Sequence, residues 1–518
     1  MRQRFFVVVA VVLSLFVSAH PSARAQTLHE KLVVQRLDNG LTVLYYPRPE
    51  TPVFSAVTVF NAGAVDEPVG STGIAHLLEH MAFKGTDTIG TRDWQKEKPI
   101  LDHLNEVGEQ LVKEQEKKNP DEQKIKNLRE ELKGQQDQEK QWIVKDEIDE
   151  IYTRNGGENL NATTANDFTT YFISLPSTKF ELWAMMESER IGRSVPREFY
   201  LEKNVVAEER RQRTDNWPVG KLWETFMATA YLAHPYSRPV VGWMSDIQGY
   251  TPAKMKDFYG RFYTPENCTI ALVGDIKAEA ARATVEKYFG RIARKPDSPE
   301  VITVEPDQTG ERRAVVEFDT NPHLLIGYHK PVLPDRADPV FEVMSSILTD
   351  GRSSRLYERM VKKDKLATTI ESFTGPGDKY PNLFMLYAQP RHPHTAGEVE
   401  AVIGEELDRL KREPVTEEEL QKVKNNLDGG FLRKLQSNYG LAHELAYYAA
   451  LTGDPLYLEK RLDLLKSVTP DEIKEVASKY LTESNRTAAV IRKPVAEASE
   501  QAPPATSTDE NKKEEPSK

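Results

Sequence analysis

With 518 residues the chain is long enough for two to four domains. Its 69 basic and 80 acidic residues leave a net charge of −11, and no cluster of Lys and Arg interleaves with aromatics. That balance argues against nucleic acid as a partner; it serves solubility and only weakly favours basic or neutral peptides. A lone cysteine, Cys268, excludes a disulfide within the chain, and its apolar, β-branched surroundings mark it as a packing residue.

The first 25 residues read as a secretory signal peptide. A short basic start is followed by an apolar run over residues 5–17, and Ala23-Arg24-Ala25 supplies small residues at the cleavage spacing. The run is shorter than the roughly 20 residues a bilayer span needs, so the mature protein is expected to be exported, periplasmic or secreted, with no membrane attachment. Residues 31–46 follow as a β-hairpin about Asp38-Asn39-Gly40, where Asn-Gly predicts a tight primed turn, and residues 53–60 as a third strand. Ser71 and Thr72 then offer N-cap oxygens to a helix over 74–83 that Gly85 closes.

Between about residues 101 and 149 the composition turns to Glu, Lys and Gln with sparse apolar positions, which predicts two charged helices broken near Asn119-Pro120. Such an insert is a solvated hairpin, or else a lid or docking arm. A strand over 169–175, a helix over 179–191, a helix over 197–213 and a strand over 269–273 complete a first domain, 27–293. Residues 294–312, rich in Pro and charge, read as a linker. Strands at 313–318 and 324–329, a helix at 339–348, a strand at 383–388 and a helix at 396–412 then repeat the earlier order. The fold class is therefore α+β: two related domains, each a mostly antiparallel sheet packed with helices, the second being 313–494. Residues 495–518 have the composition of a disordered tail.

His76-Leu77-Leu78-Glu79-His80 carries the chemistry. Positions four apart on a helix lie one above the other, so both imidazoles reach one metal ion from one face. Glu79 points close to that face, where it can take a proton from a water held by the metal. A catalytic zinc site wants a third protein ligand, commonly a carboxylate. Glu202 and Glu209, seven apart on the 197–213 helix, share a face from which Glu208 is turned away, so Glu209 can ligate while Glu202 stands behind.

The same residues resemble the pitrilysin/insulinase family of inverzincin metallopeptidases, whose inverted zinc motif matches residues 76–80 and continues into Phe83-Lys84-Gly85-Thr86. Glu202-Lys203-Asn204-Val205-Val206-Ala207-Glu208-Glu209 resembles the family's downstream helix. That implies zinc ligands His76, His80 and Glu209, one Zn2+ per chain, a general base in Glu79 and an auxiliary catalytic role for Glu202. Gly156-Gly157-Glu158-Asn159-Leu160-Asn161-Ala162-Thr163-Thr164 resembles the family's substrate-binding edge strand, which implies that Asn161 and Ala162 align an extended peptide; an ordinary turn entering a strand is the other reading.

The resemblance covers residues 32–494 apart from the insert, which accounts for the long gap between His80 and Glu209. It implies a zinc-dependent endopeptidase acting on peptides or unfolded segments. The alternative is a non-catalytic structural or binding subunit of the same fold. Two such domains make half of a clamshell chamber, so the family implies a second half. Where many relatives carry a substrate-binding Arg and Tyr in the second domain, this chain has Val361 and Thr368. A related two-domain subunit supplying that pair is the expected partner, with a homodimer next.

Overall fold

The computed structural model describes residues 28–494; the expected signal peptide and the expected C-terminal tail lie outside the described residues. Two sheets carry the fold. The first holds β1 (Val33–Arg36), β2 (Thr42–Pro47), β3 (Val53–Phe60), β4 (Glu158–Thr164), β5 (Thr169–Pro176) and β6 (Cys268–Gly274) in the order β1-β2-β6-β3-β5-β4. The second holds β7 (Arg312–Glu317), β8 (His323–Lys330), β9 (Ala367–Gly375), β10 (Asn382–Pro390) and β11 (Arg486–Arg492) in the order β7-β11-β8-β10-β9.

Apart from β1, the sheets are topological copies. In each, a parallel pair (β2 with β6, β7 with β11) is followed by antiparallel pairings out to an edge strand, β4 or β9. Strand composition follows this placement. The central β6 is buried at every position, as a strand covered on both faces must be. β4, with sequence ENLNATT, is polar and largely open, as a free edge that resists unwanted pairing must be.

Helix α1 (Ile74–Met81) follows β3. The insert forms α2 (Trp94–Gln115) and α3 (Glu122–Glu139), a hairpin with its own small core of Val107, Leu111, Ile125 and Leu128. The hairpin is clamped at its base. Arg197 and Glu97, both fully buried, pair at 2.5 Å, while the Arg197 guanidinium also donates to the carbonyls of Lys84 and Thr86. A side chain at Gly108 would collide with the Tyr200 hydroxyl, so only glycine allows this approach to α4 (Phe199–Arg210).

Helix exchange joins the halves. From the first half, α5 (Pro218–Ala230) lays Leu222, Phe226 and Met227 on Leu325, Met385 and Ala489 of the second sheet. From the second half, which contains α6 (Ala337–Thr349), helix α7 (Asn438–Thr452) lays Leu441, Leu445 and Ala449 on Leu44, Val57 and Val273 of the first sheet. Asp167, just past β4, accepts backbone N–H groups of Asp378 (2.6 Å) and Lys379 (3.0 Å) and the Tyr236 hydroxyl (2.6 Å), a further tie between the halves.

Two local expectations are corrected. The β1–β2 connection is longer than a two-residue turn: Leu37 N–H bonds Leu41 C=O, and only Gly40 takes positive φ (96°). Asn39 is instead buried, and its amide donates to the carbonyls of Phe289 and Ile292 at 2.9 Å each, which fastens a distant helix end. The helix over 197–213 is α4 followed by a π-helical turn, Arg211–Asp215.

Candidate zinc site

The α1 helix is positioned from its N-terminus, and not by the expected caps. Gly73 takes the left-handed cap position, and buried Glu67 accepts N–H bonds from Gly73 (2.6 Å) and Ala75 (2.9 Å), placing a carboxylate at the positive end of the helix. Thr72 instead donates its N–H and hydroxyl to Asp246 and accepts the Trp243 N–H, while Ser71 makes no side-chain cap bond.

His76 and His80 project from α1 with ring centroids 4.8 Å apart. Glu209 of α4 faces both. Its Oε2 lies 3.5 Å from His76 Nε2 and its Oε1 lies 3.6 Å from His80 Nε2. These are the three metal-capable side chains grouped among the described residues, with candidate ligand atoms all within 4.8 Å of one another. Glu208, as the helical phase predicts, is half-exposed and pairs with Arg211.

The residues fit a zinc ion. Glu209 Oε2, the buried oxygen that faces His76 Nε2, has no hydrogen-bond partner. Burial, assisted by His80 and Arg213, lowers the His76 pKa to about 3, so the imidazole is neutral, as a metal ligand must be. Glu202 accepts from His80 Nδ1 at 3.1 Å and from Lys84 Nζ at 2.6 Å. Although burial pushes the Glu202 carboxyl up, those two bonds bring it below the ordinary range. An ionised Glu202 keeps the proton on His80 Nδ1 and leaves the Nε2 lone pair toward Glu209.

Glu79 stands apart from this trio. Its Oε2 accepts the Thr164 hydroxyl at 2.5 Å, and burial raises its pKa despite that bond. A cavity of about 570 Å3 opens here, lined by His76, Glu79, His80 and Glu209 together with Asn161 to Thr164 of β4, and by Arg213, Val240 and Val241. Six of the seven expected site residues line it; Glu202 lies behind His80. Asn161 Oδ1 accepts its neighbour's N–H, from Ala162, at 2.8 Å, and among the described residues β4 pairs only with β5, leaving its other edge free. A cavity of about 630 Å3 in the second half contains carboxylates and hydroxyls of α6 and β9 but no histidine.

Sequence reading overlooked four contributors. Glu67 and Thr164 act through tertiary contacts. Lys84 lies in the Phe83-Lys84-Gly85-Thr86 stretch, and its partners Glu198 and Glu202 are more than 100 residues away in sequence. Arg213 stands four residues beyond Glu209, a spacing that does place it on the same face.

Two family descriptions match the chain: "Insulinase (Peptidase family M16)" over residues 42–98 and "Peptidase M16 inactive domain" over residues 249–427. A zinc protease of Helicobacter pylori, PqqE, is 29% identical over 490 residues, covering 92% of this chain and 96% of that protein. The chain belongs to the pitrilysin/insulinase family. The solved structure of a protease from Helicobacter pylori superposes with a TM-score of 0.74 at 27% identity, over 89% of this chain and 99% of that one. The periplasmic protease PqqL of Escherichia coli has the same fold, with a TM-score of 0.66 at 18% identity over 90% of this chain, which spans 48% of that longer chain. Relatives at comparable length are thus named zinc proteases, and the fold is that of two-domain peptidases of this family.

Proposed function

We propose that this protein is an exported zinc-dependent endopeptidase for peptides or unfolded segments. The observation that carries the reading is the convergence of His76, His80 and Glu209 in one cavity with a separate carboxylate, Glu79, beside the free edge of β4. A zinc ion held by the first three supplies Lewis acidity toward a water and a carbonyl. Glu202, itself held by Lys84, fixes the ring of His80. An extended peptide pairs with the outer edge of β4 near Asn161 and Ala162, so recognition is through backbone and tolerates varied side chains. Glu79, whose pKa burial lifts toward that of a working base, takes the proton of the attacking water and returns it to the leaving amine.

The domain bounds 27–293 and 313–494, with the linker 294–312, belong to the same proposal, as does a second half of the chamber. Supporting the latter, Val361 packs against the second core and Thr368 bonds Gln389, so neither offers a cation or phenol; the longer PqqL chain has room for two such halves. A related subunit carrying an Arg and a Tyr would complete the site. No helix among the described residues is long and apolar enough to cross a membrane.

Mass-spectrometric digestion of a peptide library, with and without chelator, tests the proposal. Cleavage that chelator abolishes and zinc restores is expected. Cleavage indifferent to chelator contradicts it.

A further inference from the structure

We infer that Arg213 selects an acidic side chain next to the scissile bond, an inference that rests on the peptidase reading above. Of the charged groups lining the cavity, His76, His80 and Glu209 are committed to the metal and Glu79 to the water. That leaves Arg213 as the cation free to meet a substrate side chain. Its side chain is 67% exposed and, among the described residues, its guanidinium makes no hydrogen bond, only a 3.4 Å pairing of Nη1 with Glu209 Oε2. When that carboxylate serves the metal, the guanidinium keeps its fork of donors for another anion, and a carboxylate matches the fork in a bidentate fashion.

The backbone holds Arg213 at this place. The chain enters its π-helical turn immediately after Glu209 and Arg210. A side chain at Gly220 would put a Cβ 1.9 Å from the Arg213 carbonyl oxygen, so α5 closes on that peptide unit as only glycine permits. Val240 and Val241, in the same lining, form an apolar stretch that is equally fixed. Arg210 donates to the Gly242 carbonyl at 2.7 Å, and a Cβ at Gly73 would lie 2.4 Å from the Val241 carbonyl oxygen. Outside the proposed metal ligands and Glu79 the rest of the lining is short and neutral, so a single cation there discriminates by charge. Because side chains alternate along a peptide paired to β4, Arg213 meets one position beside the bond that is cut. The selection opposes the weak preference for cations that the net charge of −11 would give.

The test separates binding from cleavage. Zinc-loaded E79Q protein is titrated with dye-labelled peptides that differ only in carrying Asp, Asn or Lys at both positions flanking the central bond. The titration is repeated with R213Q and R213E on the E79Q background, with zinc content and circular dichroism as folding controls. The Asp peptide is expected to bind about tenfold tighter than the Asn peptide; R213Q abolishes the difference and R213E turns it toward Lys. An unchanged ranking in all three proteins overturns the role of Arg213. Charge-selective binding without cleavage by the Glu79-intact chain overturns the peptidase reading alone, cleavage without charge-selective binding overturns the Arg213 inference alone, and absence of binding by every peptide overturns both.

Discussion

Thr164 hands its hydroxyl to the carboxylate of Glu79 at 2.5 Å, which ties the last residue of the free edge strand to the proposed proton carrier. Strand position and base position are thereby one geometric fact. Thr164→Val keeps the shape and removes the bond, so kcat should fall about tenfold while zinc content stays at one per chain. An unchanged kcat in steady-state peptide assays would show that the bond has no part in holding Glu79.

Glu209 and Glu208 are neighbours with opposite fates. Glu209→Gln removes a ligand oxygen, and zinc affinity should fall about a hundredfold or more by metal-buffered titration. Glu208 makes a solvent-exposed pair with Arg211, so Glu208→Gln should leave both the unfolding transition and the zinc content at the parental values. A metal-free E208Q protein would place the ligand one residue earlier.

Arg197 and Glu97 form the buried joint between the insert and the helix that supplies Glu209. Arg197→Met leaves the Glu97 carboxylate without its cation and the Lys84 and Thr86 carbonyls without their donor, at a cost of about 3 to 5 kcal/mol. Thermal unfolding should show the loss as a lower Tm. A variant as stable as the parent would mean that the insert does not depend on this pair.

Glu139, beside that joint, gives a pH signature. Burial, with the neighbouring Glu97 charge, raises its pKa from 4.5 to about 7. The folded state therefore holds a proton that the unfolded chain releases, and stability falls as pH rises from 4.5 to 7, by about 3 kcal/mol at most. Glu139→Gln, which needs no proton, should match the parent near pH 4 and exceed it increasingly up to pH 7, with the advantage constant above. An advantage that does not grow over that window would show that the carboxyl ionises freely in the fold.

Much of this arrangement is legible in the chain itself because it is written in local periodicity. The i, i+4 spacing of His76 and His80 and the seven-residue spacing of Glu202 and Glu209 fix helical faces wherever the helices go, and the repeated order of strands and helices shows in hydrophobic patterning. What stayed hidden depends on tertiary partners. Glu67 substitutes for the Ser71 and Thr72 caps through a loop that folds back on α1, and Asn39 is recruited by a helix end some 250 residues away in sequence. Strand β9, the helices between residues 417 and 480 and strand β11 escaped the sequence reading, and β9 and β11 are defined by pairings with β8 and β10 that only the folded sheet supplies. Helix α7 shows almost no amphipathic signal because its Tyr- and Ala-rich surface is buried from several directions.

Metal holding and proton transfer fall to different residues of this site in the proposed function, and Glu79→Gln tests that division most directly. Zinc content and peptide cleavage are measured on one preparation of the variant. The predicted result is zinc at the parental stoichiometry with cleavage lost, since the amide still hydrogen-bonds water and Thr164 but takes no proton. Loss of zinc together with cleavage would make Glu79 a ligand, and parental cleavage would remove it from the chemistry; either result contradicts the account.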